Sequence, residues 1–274
     1  MTVALVTDSN SQLPSELRQR FAVRVVPLTV VIDGVAYHEG VDITATDFYA
    51  HLADGASVST AAPAPGEVLA VYEAAIDGGA TEIVSVHVGA NTSGTLNAVS
   101  VAAQESSVPV HVVDTGTASF AVACCVWAAG EVLERGGTAA SARDAARRVA
   151  ERVDNVFVVG AMDLARRGGR LAPAAAADDG VAVLALTGGQ MEVVARIRDA
   201  EGAVDAMTRY VVDRAAGAPV RVGVGDALAP GLASDFAAAL RARPEVADLV
   251  HYEIGPSVGA HTGAGTVGAC FFTL

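Results

Sequence analysis

The residues best able to do chemistry gather in one run, Ser85-Val86-His87-Val88-Gly89-Ala90-Asn91-Thr92-Ser93-Gly94-Thr95. The pattern predicts a buried strand over 82–88, a turn of small hydroxyl and amide residues, and a helix rising from Thr95. Such a junction aims unpaired backbone N–H groups, and the positive end of a helix dipole, at whatever lies above the sheet, so its natural guest is an anion. Asn91, Thr92 and Ser93 could equally form an ordinary N-cap cluster. As a catalytic group, Ser93 would be the nucleophile of a serine hydrolase acting on an ester, with His261 as base. Both glycines of a GxSxG elbow are missing around Ser93, however, and no Asp ahead of His261 stands out as its orienting partner. A second fragment, Gly223-Val224-Gly225-Asp226-Ala227-Leu228, starts like a dinucleotide fingerprint. It puts Leu228 at the third glycine position, and no acidic residue follows at the right distance at a strand end. His87, His38, His51, His111 and His251 read as structural, Asp8 and Asp114 as caps for turn amides. His261, flanked by Gly259 and Gly263, could be a loop histidine bonded to backbone.

Composition removes further classes of chemistry. All 18 basic residues among the 274 are arginine and there is no lysine, which excludes Schiff-base chemistry, a lysine-anchored pyridoxal cofactor and a P-loop lysine within this chain. A formal net charge of −13 opposes nucleic-acid partners and anionic bilayers. Cys124, Cys125 and Cys270 form no CxxC pair and have no nearby histidine cluster, so neither zinc nor a disulfide framework is expected. Cys124 and Cys125, inside an apolar run, read as small buried hydrophobes. The first residues enter a strand directly, without a basic and apolar leader, and no run reaches ~18 apolar residues, so the expected setting is cytoplasmic, with no transmembrane segment.

The elements that would position these residues follow in order. Strands over 3–6, 23–32, 82–88 and 110–113 alternate with helices over 46–52, 66–76, 95–99, 117–135 and 141–152, the last carrying a solvated face of Arg143, Arg147, Arg148 and Arg152. Asp33-Gly34 is a turn signal, and 59–65 reads as a rigid, turn-rich loop. This rhythm predicts an α/β N-terminal domain, 1–155, with a mostly parallel, doubly wound sheet. After 155 it changes: strands over 155–160, 220–224, 249–254 and 268–274, helices over 203–215 and 231–241, and a hairpin of 181–186 with 191–197 predict an α+β C-terminal domain, 156–274. Polar residues recur at strand ends, in Thr7-Asp8-Ser9, at Thr60, over 91–95 and in Asp114-Thr115. Ligands of an open parallel sheet bind there, so these segments should surround one crevice.

Taken together, several ordered pieces resemble the DegV family of bacterial fatty-acid-binding proteins. They are Thr7-Asp8-Ser9-Asn10-Ser11-Gln12-Leu13-Pro14, Pro27-Leu28-Thr29-Val30 ahead of Asp33-Gly34, Thr60-Ala61-Ala62-Pro63, Ser93-Gly94-Thr95, Asp114-Thr115, Arg167-Gly168-Gly169-Arg170, Arg196-Ile197-Arg198, and Ile254-Gly255 ahead of His261-Thr262-Gly263-Ala264-Gly265. The resemblance spans nearly the whole chain. It implies a two-domain DegV-like fold that buries a long-chain fatty acid between its halves, with no other cofactor. It further implies that Thr60, Ser93, the backbone of Gly94, and His261 hold the carboxylate. A separate fatty acid kinase subunit would phosphorylate that carboxyl group, so catalysis would lie in the partner and this chain would be a lipid carrier. Arg170 and Arg198 would sit near the pocket mouth or the kinase contact. Two departures bear on acyl specificity and the partner surface: Ala61-Ala62 replaces the usual Ser-Gln, and Ala-rich sequence with Val181-Ala182-Val183-Leu184 replaces a Leu-Gly and an Ile-Lys-Pro-Ile segment.

Physical chemistry assigns the two ends of such a ligand different tasks. Burying a methylene is worth ~0.8 kcal/mol, so roughly fourteen give about 11 kcal/mol before ordering costs. Hydrogen bonds to the carboxylate contribute roughly 1.5–3 kcal/mol each, much of it offset by desolvation. Affinity should come from the tail and direction from the headgroup residues.

Overall fold

The computed structural model describes residues 2–167, 169, 180–198 and 201–274. Its first half runs β1 (Val3–Asp8), a 3-10 turn (Ser9–Ser11), α1 (Ser15–Arg20), β2 (Arg24–Val26), β3 (Thr29–Ile32), β4 (Val35–His38), α2 (Ala45–Ala53), β5 (Val58–Ala61), α3 (Pro65–Asp77), β6 (Glu82–His87), α4 (Thr95–Glu105), β7 (Val110–Asp114), α5 (Phe120–Glu134) and α6 (Ala139–Ala150). The second half runs β8 (Asp154–Val158), α7 (Met162–Arg167), β9 (Val181–Thr187), β10 (Gln190–Ile197), α8 (Glu201–Ala215), β11 (Val220–Asp226), α9 (Pro230–Arg241), β12 (Val246–Glu253), α10 (Pro256–Thr262) and β13 (Val267–Thr273).

The first sheet is parallel, in the order β2-β1-β6-β7. Because side chains alternate across a strand, Val6 and Ile83 face α3 and α4, while Leu5, Val84 and Val86 face α5 and α6. The sheet is doubly wound, and its strand order reverses between β1 and β6. That switch point opens a crevice at the carboxyl ends of those two strands.

A second, three-stranded antiparallel sheet, β4-β3-β5, sits beside it. Here the structure corrects the sequence reading twice. The single strand expected over 23–32 breaks at Pro27, whose ring removes the N–H a central ladder requires, and its two pieces join different sheets. The loop expected over 59–65 begins instead as β5, whose Thr60 pairs with Val30. Asp33 and Gly34 do make the hairpin turn, both in left-handed backbone at φ 48° and 85°.

The second half forms a six-stranded mixed sheet, β10-β9-β8-β13-β11-β12, in which β11 and β12 are parallel and the other pairs antiparallel. The expected hairpin is present, with Gly188 and Gly189 at its turn. Helices α8 and α9 cover one face through Met207, Val211, Phe236 and Leu240. Helix α5 covers part of the other face, where Cys270 and Phe272 join the core that α5 shares with β1 and β6. A helix segment apolar all round must be buried all round, and α5 is both over residues 120–127, with Cys124 and Cys125 enclosed as expected. The Gly223 and Gly225 pair lies inside β11 and not at a strand-to-helix turn. A Cβ at either would lie 2.2 Å from an aromatic ring, of Phe120 or Tyr252 respectively. Those rings stack at 4.6 Å, so the glycines make room for them.

Candidate ligand-binding site

The loop after β6 is held from both sides by carboxylates on the neighbouring strands. Asp8, ending β1, accepts a hydrogen bond from the Val88 amide at 2.9 Å. Asp114, ending β7, accepts from Ala90 N at 3.3 Å and from Gly116 N at 2.9 Å. Both therefore satisfy turn amides, as the sequence implied. The chain then folds back, Ser93 N donating to Gly89 O at 3.0 Å, and delivers Gly94 as the N-cap of α4.

Above this loop lies a cavity of about 410 Å³ between the two halves. Thr60, Ser93, Gly94 and His261 all line it, so the structure brings together four residues named for the carboxylate. Thr60 Oγ1 and His261 Nε2 meet at 3.2 Å. Ser93 Oγ lies 2.9 Å from Thr95 Oγ1 and accepts from Thr95 N at 3.3 Å, while the Ala62 methyl lies 3.7 Å from the point where a Gly94 Cβ would stand. The end of β5 thus abuts the start of α4, and the positive end of that helix opens on the cavity. Val156, Phe157, Leu186 and Met191 form much of the apolar wall, and the β9–β10 turn closes on the loop, where a Gly189 Cβ would lie 2.9 Å from Asn91 O. Thr60, Ser93 and His261 offer hydroxyls and an imidazole beside the first amides of α4, and the wall of Val156, Phe157, Leu186 and Met191 offers hydrocarbon, with Asn10, Asn155 and Ser257 set into the lining.

His261 sits in the last turn of α10, correcting the loop reading. Pro256 opens that helix and Gly263, at φ 79°, ends it. Arg198 lies exposed on the bend after β10 and does not line the cavity. Arg170 falls outside the described residues. Asn10, Tyr252 and Ser257 also line the cavity, and the sequence assigned them no role. Only Asn10 gave a signal, as part of the polar run that ends β1.

A Ser-His-Asp chain does exist, away from Ser93. His87 Nδ1 meets Asp8 Oδ2 at 2.9 Å, His87 Nε2 meets Ser85 Oγ at 2.6 Å, and Ser85 Oγ meets the Tyr72 hydroxyl at 2.8 Å. All four side chains have 0 % exposure, so no substrate reaches them, and the arrangement braces the sheet against α3. Among the described residues, no group of three or more His, Cys, Asp or Glu is placed to hold a metal ion, and no helix is long and apolar enough to cross a membrane.

Comparison with known proteins extends this picture. The family model described as an uncharacterised protein of the DegV family matches residues 2–274. A DegV domain-containing protein of Streptomyces coelicolor is 41% identical over 271 residues, covering 97% of this chain and 96% of its own. Among solved structures, a fatty-acid-binding DegV family protein from Thermus thermophilus superposes with a TM-score of 0.93 at 31% identity, covering 100% of both chains. DegV of Bacillus subtilis, a fatty acid binding protein, gives a TM-score of 0.89 at 24% identity with 100% of both chains covered, a likeness of fold.

Proposed function

The chain belongs to the DegV family, and from that premise we propose that it binds a long-chain fatty acid in the interdomain cavity and presents the carboxyl group to a separate fatty acid kinase subunit. The observation that carries this reading is the meeting of Thr60 and His261 at 3.2 Å on the wall of a cavity that also holds Ser93, the α4 N-cap Gly94 and an apolar lining. Hydroxyls donate equally well to a carboxylate and to an acyl phosphate, and an imidazole can change its charge state as the headgroup gains charge. The chain itself then performs no bond-making step. It buries the tail, orients the headgroup, and leaves the chemistry to the partner. Arg198, exposed beyond β10, fits a place on the partner surface, and Arg170 is assigned there by resemblance alone. The Thermus relative supports the ligand class, since it is a fatty-acid-binding protein with the same fold at 31% identity.

Native mass spectrometry followed by lipid extraction tests the reading. One fatty acid per chain is expected from purified protein, or after incubation with oleic or palmitic acid. Removing one headgroup contact by Thr60→Ala or Ser93→Ala should weaken binding about tenfold, the equivalent of ~1.4 kcal/mol, because the tail still supplies most of the affinity. His261→Ala should in addition slow acyl phosphate formation by added kinase. A folded chain that stays empty after incubation would overturn the proposal.

A further inference from the structure

A buried carboxylate lies behind the cavity, and the reading above does not use it. Glu39, only 7 % exposed, follows β4 in the first half of the chain. Its Oε1 accepts from the Ser257 amide at 2.9 Å and from Gln12 Nε2 at 3.3 Å, and its Oε2 accepts from Ser9 Oγ. Gln12 doubles the connection: its Oε1 accepts from the Gly255 amide, and its Nε2 donates to Ser257 Oγ at 3.2 Å. Two amides that open α10 are thus held by side chains from the other half of the molecule. An acid at a helix N-terminus is favourably placed for the helix dipole. Burial nevertheless pushes the Glu39 carboxyl upward in pKa, against the opposing pull of its bonds to Ser9, Ser257 and Gln12. A carboxylate placed there is costly, and the bonds from Ser9, Gln12 and Ser257 offset part of that cost.

Helix α10 has only seven residues, Pro-Ser-Val-Gly-Ala-His-Thr. Most are poor helix formers, so the segment has little helical stability of its own and takes its place from what grips it. Ser257 and His261 stand four residues apart, on the same face one turn above each other, and both line the cavity. Whatever fixes Ser257 therefore fixes the height at which the imidazole meets Thr60.

We propose that Glu39 is the positioning residue of the headgroup site, its buried carboxylate clamping the first turn of α10 so that His261 is held against Thr60. The inference rests on the fatty-acid reading only for its affinity measurement. Glu39→Gln keeps the size but removes the charge: its NH2 group must face Ser9 Oγ, which already accepts from the Leu28 amide at 2.9 Å, and the bonds from Ser257 N and Gln12 Nε2 fall from charge-assisted to neutral strength. The matched control is Glu131→Gln, which breaks the 2.8 Å ion pair that Glu131 of α5 makes with Arg221 of β11. In 1H–15N spectra of the histidine side chains, with His261 assigned through His261→Gln, Glu39→Gln should move the His261 ring signals and Glu131→Gln should leave them in place. Binding of oleic acid should weaken at least tenfold in Glu39→Gln and stay within twofold in the control, at comparable losses in Tm. Unmoved His261 signals and unchanged affinity in a destabilised Glu39→Gln protein would reduce Glu39 to a structural group and overturn the proposal. Should Glu39→Gln fail to fold, Glu39→Asp, which draws the carboxylate back by one methylene from the Ser257 amide, decides on the same two readouts. If the unaltered protein takes up no fatty acid, the proposed function falls, and the His261 signals still decide the role of Glu39.

Discussion

Asp8 shares one carboxylate oxygen between the His87 ring and the Val88 amide, and so it ties the middle of the sheet to the loop that carries Ser93. Truncating it strands two buried donors, and Asp8→Ala should cost about 3–5 kcal/mol in urea unfolding, by the usual penalty for breaking a buried polar pair. Tyr72→Phe removes only the far end of the same chain and should cost about 1 kcal/mol. His38 offers a test in pH. Hydrogen bonds to Glu67, and then to Asp42, raise its pKa, so the folded protein holds that proton more tightly than the unfolded chain does. The contribution is complete below the pKa of an unfolded histidine and is lost as pH rises through the folded value. His38→Gln should flatten that part of the stability–pH curve, measured as Tm in steps between pH 5 and 8. At this scale the sequence was legible where a residue type has one dominant use. Asp8 and Asp114 as caps and the buried Cys124 and Cys125 are examples. It was not legible for Glu39 or Tyr252, since an acid or a tyrosine in a polar stretch carries no local mark of what the distant half of the chain will bring against it.

Among elements, the legible ones are those whose signal is local. The β9–β10 hairpin has its two glycines and flanking apolar runs, and α4 follows its Ser-Gly turn. Strand β5 and helix α10 have no such pattern, and they carry Thr60 and His261. Four residues of β5 are ordered by pairing with β3, and seven residues of α10 by the grip on Gly255 and Ser257 and by close packing on α2. That packing can be measured. A Cβ on Gly259 would lie 2.5 Å from the Tyr49 hydroxyl, which donates to Ile254 O at 2.7 Å. Gly259→Ala should therefore push α10 away from α2, costing roughly 1–3 kcal/mol and weakening fatty-acid binding. Gly66→Ala, in the first turn of α3, meets nothing within 4 Å and should be neutral or stabilising by up to about 0.5 kcal/mol. Equal losses in both variants would show that backbone propensity rather than the α10–α2 contact governs the effect.

Across the whole molecule, the alternation of strands and helices announced the parallel sheet, and the later hairpin announced the mixed one. What the linear pattern could not announce is that α5 serves both, because an all-apolar helix reads the same whether one sheet or two lie against it. Phe120 stacks on Tyr252, Trp127 meets Phe272 edge-on at 6.4 Å, and Arg221 lies 5.0 Å over the Trp127 ring while pairing with Glu131. The seam between the halves is thus continuous core, and prying it open would wet the same side chains that hold the first sheet together. Trp127 is the only tryptophan of the chain, and it stands at that seam, 1 % exposed and off the cavity wall. The molecule consequently carries its own optical gauge of interdomain integrity. With excitation at the red edge, where tyrosine does not absorb, indole emission monitors the seam alone. Its denaturation midpoint should coincide with that of far-ultraviolet circular dichroism, whereas an earlier red shift in emission would betray halves that part before they melt.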